Sequence, residues 1–390
     1  MEAGRDGHAA LVAALRRAGV APDRVIDAFA RVPRHAFLPG VDPEAVYVDD
    51  AVVTHREDSG IPTSSSSQPS LMATMLARLD VPPGARVLEV GAGTGFNAAL
   101  LADLAGPAGA VTAVELQPSV AEAAAANLRA AGVDRVEVVC GDGARPPGGP
   151  YDRIMVTAGC WSLPPGLVAA LADGGVLVAP LRVNGIEVAV PLRREGAVLA
   201  GAGGVPCGFM PLRGEAARPW RWELGAGGSA AADTDLGTEG RGAVDRLLAD
   251  PGREVADPGL GAGATALDAL LWLGLRGDPL ITLVRPRPDV DDRPPWLVGL
   301  ASLPGSMLVA ELDRAEVGRI ELHGTDAALR SCTAGLAAHR GAGSPDAAKL
   351  HVTVEPHGGR DLGGLPAPRP DGGADVQRGI HRWTFRYLAA

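Results

Sequence analysis

Val87-Leu88-Glu89-Val90-Gly91-Ala92-Gly93-Thr94-Gly95-Phe96 decides the fold of this chain. An apolar strand runs straight into a glycine-dense turn, and the helix-forming stretch Asn97-Ala98-Ala99-Leu100-Leu101-Ala102 follows. That order places a nucleotide-type ligand at the carboxyl end of a parallel strand. Dinucleotide binders space their glycines G-x-G-x-x-G, bringing pyrophosphate onto the helix N-terminus. Here the third glycine comes early, at Gly95, and Phe96 stands where the last glycine belongs. Glu89, two residues before Gly91, would repel a pyrophosphate but can pair with a cation. S-adenosylmethionine carries a sulfonium and an ammonium and no phosphate, so the turn reads as a methyltransferase turn. The plainer alternative is an ordinary glycine-rich βα loop.

The downstream strands extend this reading. Val111-Thr112-Ala113-Val114-Glu115 ends in an acid about 20 residues past the turn, where a carboxylate meets ribose hydroxyls. Val136-Glu137-Val138-Val139-Cys140 runs into Gly141-Asp142-Gly143. Asp142 can accept the adenine amino group, and Gly143 lets the backbone approach the ring. Two more strands follow, Tyr151-Asp152-Arg153-Ile154-Met155-Val156-Thr157 and Gly175-Val176-Leu177-Val178-Ala179-Pro180. Strands alternating with helical patterns predict an α/β fold, an open and mostly parallel sheet with helices on both faces.

At 390 residues the chain has room for two or three domains, and with 46% hydrophobic residues it can fill their cores. The net charge of -10 is spread along the chain and argues against a nucleic-acid partner, which calls for a basic stripe. Cys140, Cys160, Cys207 and Cys332 lie far apart without metal-ligand or CxxC spacing. They read as reduced core residues of a cytosolic protein, and no metal is expected. The N-terminus lacks a basic region followed by an apolar core, and the apolar run 264–275 is too short to span a bilayer. A cytoplasmic protein with no membrane partner is the expectation.

Ahead of the sheet, the periodicity of 8–30 predicts a pair of helices, and 71–79 predicts a helix leading to the turn. After Pro180, Glu187-Val188-Ala189-Val190-Pro191-Leu192 reads as an antiparallel strand. Residues 1–225 form one expected domain. Residues 226–242, rich in Gly, Ala, Ser, Thr and Asp, read as a linker, and 243–390 as an α+β domain. Within it, helices are expected at 243–249, 264–275 and 327–338. Strands are expected at 280–284, 296–300, 307–311, 319–322, 350–354 and 383–387, mostly antiparallel. Residues 358–373 read as a Pro- and Gly-rich loop. Five histidines in this half (His323, His339, His351, His357, His381) have no ligand spacing.

The first 215 or so residues resemble the protein-L-isoaspartate O-methyltransferase family. Val32-Pro33-Arg34-His35-Ala36-Phe37-Leu38-Pro39 is similar to that family's VPRxxFVP opening, and Val46-Tyr47-Val48-Asp49-Asp50-Ala51 to its AYxDxA. Ser67-Gln68-Pro69 matches the end of its TISQP. The cofactor strands, the strand from Tyr151 to Thr157, Leu163-Pro164 and Gly174-Gly175-Val176-Leu177-Val178-Ala179-Pro180 match in order. The resemblance implies a class I S-adenosylmethionine-dependent methyltransferase acting on an Asp or isoAsp carboxyl in a peptide or protein. It places Glu89, Gly91, Gly93, Gly95, Glu115, Asp142, Gly143 and Gln68 at the cofactor.

The departures narrow the resemblance further. His55-Arg56-Glu57-Asp58-Ser59-Gly60 looks inserted, the Thr-Ile-Ser core has become a run of serines, and 216–390 has no counterpart in the minimal repair enzyme. This combination is similar to homologues in actinobacterial clusters for ribosomally made, modified peptides (lanthipeptides and graspetides). That subfamily methylates an aspartate so that the ester collapses to aspartimide or isoaspartate.

The chemistry asks for few residues. A carboxylate, with a reference pKa of about 3.9, is already ionised and needs no general base. Orientation and electrostatics are what the protein must supply. Neutral donors should hold one carboxylate oxygen: Ser67 by its match to the family serine, then Ser66 and Thr63. The bland alternative makes the serines a linker or a helix N-cap. Repair of isoaspartyl proteins, a small-molecule methyltransferase, a catalytically silent cofactor-binding scaffold and an NAD-dependent oxidoreductase are the rival functions. The C-terminal domain is a possible peptide reader that could add a strand of substrate to its sheet; oligomerisation or stabilisation are its other roles.

Overall fold

Two helices open the chain, α1 (Glu2–Ala18) and α2 (Asp23–Arg31). The computed structural model describes residues 2–57, 62–217, 221–225, 227–262, 264–277, 279–284, 296–313, 316–357, 366–369, 373–378 and 381–387. Helix α2 buries Val25, Ile26, Ala28 and Phe29 along one face, the i, i+3, i+4 stripe of an amphipathic helix. A 3₁₀ turn (Arg34–Phe37) and the short α3 (Pro43–Val46) lead to a hairpin, β1 (Val52–Arg56) and β2 (Pro62–Ser66). Of the segment read as inserted, His55, Arg56 and Glu57 belong to this hairpin region, while 58–61 lie outside the described residues.

The predicted sheet is present. Helix α4 (Pro69–Leu79) delivers the chain to β3 (Arg86–Val90), followed by α5 (Phe96–Ala105), β4 (Ala110–Glu115), α6 (Pro118–Ala130) and β5 (Val136–Cys140). Then come β6 (Tyr151–Val156), α7 (Pro165–Ala170) and β7 (Leu171–Val183). The strands pair in parallel in the order β5-β4-β3-β6-β7. Strand order reverses at β3, so the crevice beyond the carboxyl ends of β3 and its neighbours is the topological switch point. Val87, Leu88 and Val90 are buried on this central strand, and α5 is buried nearly all round. Phe96, at the start of α5, packs against Phe29 edge-on at 5.9 Å and against Phe37 at 5.6 Å. That aromatic cluster fixes the N-terminal helices on the helix that leaves the glycine turn.

The chain divides into two compact units, and the division interleaves. One unit is Met1–Pro180, Ala189–Gly196 and Phe209–Ala217; the other is Leu181–Val188, Ala197–Gly208 and Arg218–Ala390. The second unit contains a seven-stranded antiparallel sheet in the order Arg221–Glu223, Ser229–Ala232, Leu280–Val284, Trp296–Ser302, Ser306–Asp313, Glu316–Gly324, Arg253–Glu254. A further antiparallel set joins Val198–Ala202, Leu350–Pro356, His381–Tyr387 and Ala374–Arg378. Helices lie at Gly237–Ala249, Ala264–Gly274 and Ala327–Gly341.

The linker reading of 226–242 is corrected here. Ser229–Ala232 is a strand inside the seven-stranded sheet, and Gly237 already begins a helix. Ala230 belongs to the core formed by Leu224, Val244, Leu248, Ile281 and Leu283. Small side chains mimic linker composition, but alanine and serine also suit a strand hemmed in on both sides by larger neighbours. The first unit likewise does not end at 225: it gives up 181–188 and 197–208 and takes back 209–217. Of the loop read at 358–373, residues 358–365 and 370–372 lie outside the described residues.

Candidate active site

The glycine turn is built as its spacing demands. Gly91 has φ +97° and Gly95 φ +86°, backbone that side chains rarely adopt. A Cβ on Gly91 would stand 2.6 Å from the Thr157 hydroxyl, and one on Gly95 would stand 3.1 Å from the Ala124 carbonyl and from the Leu128 side chain. Thr157 in turn donates to the Val90 and Gly91 carbonyls at 3.0 and 2.8 Å, tying the end of β6 to the turn.

Glu115, at the end of β4, accepts from the Gly93 N–H at 3.1 Å and from the Gln117 N–H at 3.2 Å. The acid and the glycine turn are therefore brought together as expected. Gly143 packs on Val90, where a Cβ would collide with the valine side chain. Asp142 accepts from the Ala144 N–H at 2.9 Å and from the Glu215 N–H at 2.8 Å. Gly214, with φ +83°, lies directly against the same carboxylate. The segment around residue 214 was not singled out from sequence; only a glycine flanked by charged residues marks it there.

Glu89 is fully buried on β3. Its Oε1 accepts from Asn97 Nδ2 at 2.7 Å, and its Oε2 has no hydrogen-bond partner. Burial pushes this carboxyl up to about 8, opposed by the Asn97 bond and reinforced by the nearby Glu115 charge. A buried carboxylate oxygen without a partner, beneath a turn with no room for side chains, fits a cationic ligand seated on the turn.

The serine tract forms β2 and its exit. Thr54 pairs its hydroxyl with Ser64 at 3.3 Å, and His55 Nδ1 meets the Thr63 hydroxyl at 2.7 Å. Above the turn, a Cβ on Gly93 would touch the Ser65 carbonyl at 3.4 Å and the Ser64 hydroxyl at 3.7 Å, so the serine strand lies over the glycine turn. Ser66 is buried and its hydroxyl faces Arg34 Nε at 3.4 Å. Ser67 is half-buried, and among the described residues its hydroxyl has no partner. Gln68 donates to Asp49 at 3.3 Å and to Ser70 at 3.0 Å, directly before Pro69 opens α4. Thr63 and Ser66 thus have hydroxyl partners within the protein, whereas Ser67 has none among the described residues.

Arg34 is the residue that sequence reading passed over. In the sequence it is one letter of the Val32–Pro39 motif. In the structure it is 1% exposed, and its guanidinium donates to the carbonyls of Val46, Val48, Asp50, Ser66 and Ser67 at 2.8–3.2 Å. Burial lowers its pKa to about 10, with the Asp49 and Asp50 charges working the other way, so it stays cationic at neutral pH.

An open sheet in this order, with a glycine turn, a buried acid with one unpartnered oxygen on the strand before it and a second carboxylate at the end of the next strand, defines a class I S-adenosylmethionine-dependent methyltransferase. A family profile described as protein-L-isoaspartate(D-aspartate) O-methyltransferase matches residues 6–217. The protein-L-isoaspartate O-methyltransferase of Methanopyrus kandleri is 39% identical over 211 residues, which is 53% of this chain and 90% of that protein. That of Methanoculleus marisnigri is 40% identical over 204 residues, 52% of this chain and 88% of the relative. The chain belongs to the protein-L-isoaspartate(D-aspartate) O-methyltransferase family. A solved protein-L-isoaspartate O-methyltransferase covers 89% of this chain and 96% of its own, with a TM-score of 0.53 at 24% identity. Its likeness in fold reaches past residue 217.

Proposed function

We propose that this chain transfers a methyl group from S-adenosylmethionine to an aspartate-type carboxylate in a peptide or protein. The observation that carries the reading is the serine strand laid over the glycine turn, with the Ser67 hydroxyl at its exit unpartnered among the described residues. Glu89, the 91–95 turn, Glu115, Asp142 and Gly143 are the residues to hold the cofactor, with Gln68 beside them at the start of α4. The cofactor supplies an electrophilic methyl group. The acceptor carboxylate is already an anion, so no base is needed and no proton moves. Ser67 holds one carboxylate oxygen and leaves the other directed at the methyl carbon, a positioning effect of several kcal/mol. Ser66 and Thr63 support this wall of the site through Arg34 and His55.

The particular acceptor we infer is an aspartate side chain in a ribosomally made peptide, with the ester collapsing to aspartimide or isoaspartate. The serine run Ser64 to Ser67 and the hairpin before it favour this over repair of damaged proteins, because both departures fall on the substrate side and leave the cofactor residues intact. Closure of the imide is easiest before glycine, so Asp-Gly sites should be preferred. The deciding experiment offers labelled S-adenosylmethionine with an isoaspartyl peptide and, separately, with an Asp-Gly peptide, following products by mass. Ester formation and then net loss of water on the Asp-Gly peptide alone supports peptide maturation. Methylation of the isoaspartyl peptide alone makes this a repair enzyme. Transfer to neither makes it a cofactor-binding scaffold.

A further inference from the structure

We propose that Arg34 is a positioning residue for the methyl acceptor, a buried guanidinium that locks Ser66 and Ser67 and polarises the peptide groups flanking Ser67. The proposal rests on the reading of Ser67 as the residue that holds the acceptor carboxylate. Five carbonyls from two segments, 46–50 and 66–67, converge on one planar fork. Among the described residues no carboxylate pairs with it directly; Asp49 and Asp50 act only through space. A buried cation satisfied by carbonyls and one hydroxyl, with no paired carboxylate, is an expensive arrangement for mere stability, since apolar packing of the same volume does as well. What the fork adds is geometry and charge. Donation to the Ser66 and Ser67 carbonyls draws electron density along each peptide, making the N–H groups of Ser67 and Gln68 stronger donors. Neither of those N–H groups donates to another protein group among the described residues. The residual positive charge lies one residue from the place where an anion must bind.

Lysine keeps the charge but cannot span five carbonyls with a fork. We therefore compare the wild type with R34K and R34A, measuring melting, S-adenosylhomocysteine affinity by calorimetry, amide exchange, and kcat and KM for both peptides. The expected result is a folded R34K with S-adenosylhomocysteine affinity unchanged within about twofold and kcat down by about tenfold or more. Exchange should quicken at 46–50 and 65–68 and stay unchanged at 89–96. R34A, refolded if necessary with guanidinium present, should regain activity with millimolar guanidinium and not with ammonium. Wild-type kcat in R34K, or losses of kcat that track lost cofactor affinity and melting, overturns the proposal. So does a folded R34A that guanidinium does not restore. If the wild type methylates neither peptide, the acceptor reading falls and takes the positioning role with it, whereas unchanged exchange at 65–68 in R34K refutes the lock alone.

Discussion

Glu89 shows how a single residue couples the ligand to pH. Its folded pKa, about 8, lies above the ordinary carboxylate value because it is buried with one oxygen unpartnered. A raised carboxyl pKa contributes stability that is present at low pH and lost as pH rises through the folded value. The ligand-free protein should therefore lose stability between about pH 4.5 and 8, and Glu89→Gln should melt higher than the wild type near pH 8 with little difference near pH 5. Because the ionised acid is the form that pairs with a cation, cofactor affinity should rise over the same window in the wild type. Calorimetric titration of Glu89→Gln across pH should give weaker binding and a flat profile. At the turn itself, Gly91→Ala forces a φ of +97° on alanine and meets the Thr157 hydroxyl, so a loss of about 1–3 kcal/mol is expected by denaturant unfolding. Ser67→Ala should cut kcat/KM by about 10²-fold without weakening cofactor binding, while Ser66→Ala, whose hydroxyl only meets Arg34, should cost much less. Equal effects from the two serines in steady-state assays would contradict the assignment. These roles were legible unequally. Glycine spacing announces Glu89 and the turn, because backbone conformation has a local signature. Arg34 has none, since its partners are carbonyls, which every residue carries.

At the scale of elements, periodicity served well wherever one face of a helix or strand is buried. The five parallel strands and the helices flanking them appear where alternation and the 3.6-residue stripe put them. The failures share a cause. Ser229–Ala232 lies in a sheet but has the side chains of a linker, and only its neighbours at 280–284 reveal it. In the second unit, the strand ending at Val183 and the one beginning at Ile186 are joined by a turn fastened by charge. Arg182 donates to Asp233 at 3.0 Å, to Glu187 at 3.0 Å and to Thr282, while the other Asp233 oxygen accepts from the Gly185 N–H at 2.6 Å. Arg182 is 12% exposed, and Glu187 and Asp233 less so. Removing one member of such a network leaves buried charge behind, so Arg182→Met should destabilise by about 3–5 kcal/mol in urea unfolding. A change under about 1 kcal/mol would mean that water reaches the carboxylates in solution.

For the whole molecule, the interleaved division changes which experiments are informative. A chain ending at residue 225 keeps 181–188 and 197–208 but discards most of the unit they belong to: Val198–Ala202 loses its partner Leu350–Pro356, and buried Asn184 loses Gly274 and Leu280. We predict that this truncation gives little soluble protein, checked by yield and light scattering; a well-behaved monomer would show that the first unit stands alone. The reading of residues 243–390 as a peptide reader is better tested by substitutions on exposed positions of its sheets than by deletion. The described helices include none long and apolar enough to cross a membrane. Sequence composition does not show the interleaved boundary between the units, because that boundary lies in tertiary pairing.

The same interleaving bears on how the chain is made. Synthesis runs from the N-terminus, and domains commonly fold as they emerge. Here the segment carrying Gly214 and Glu215, which closes on Asp142, leaves the ribosome only after 181–208 have appeared. Of these, 181–188 and 197–208 belong to the unit whose remaining residues, from Arg218 on, are still to be translated. The first unit thus completes its last step late: Asp142 stays uncapped until the first stretches of the other unit are already in the open.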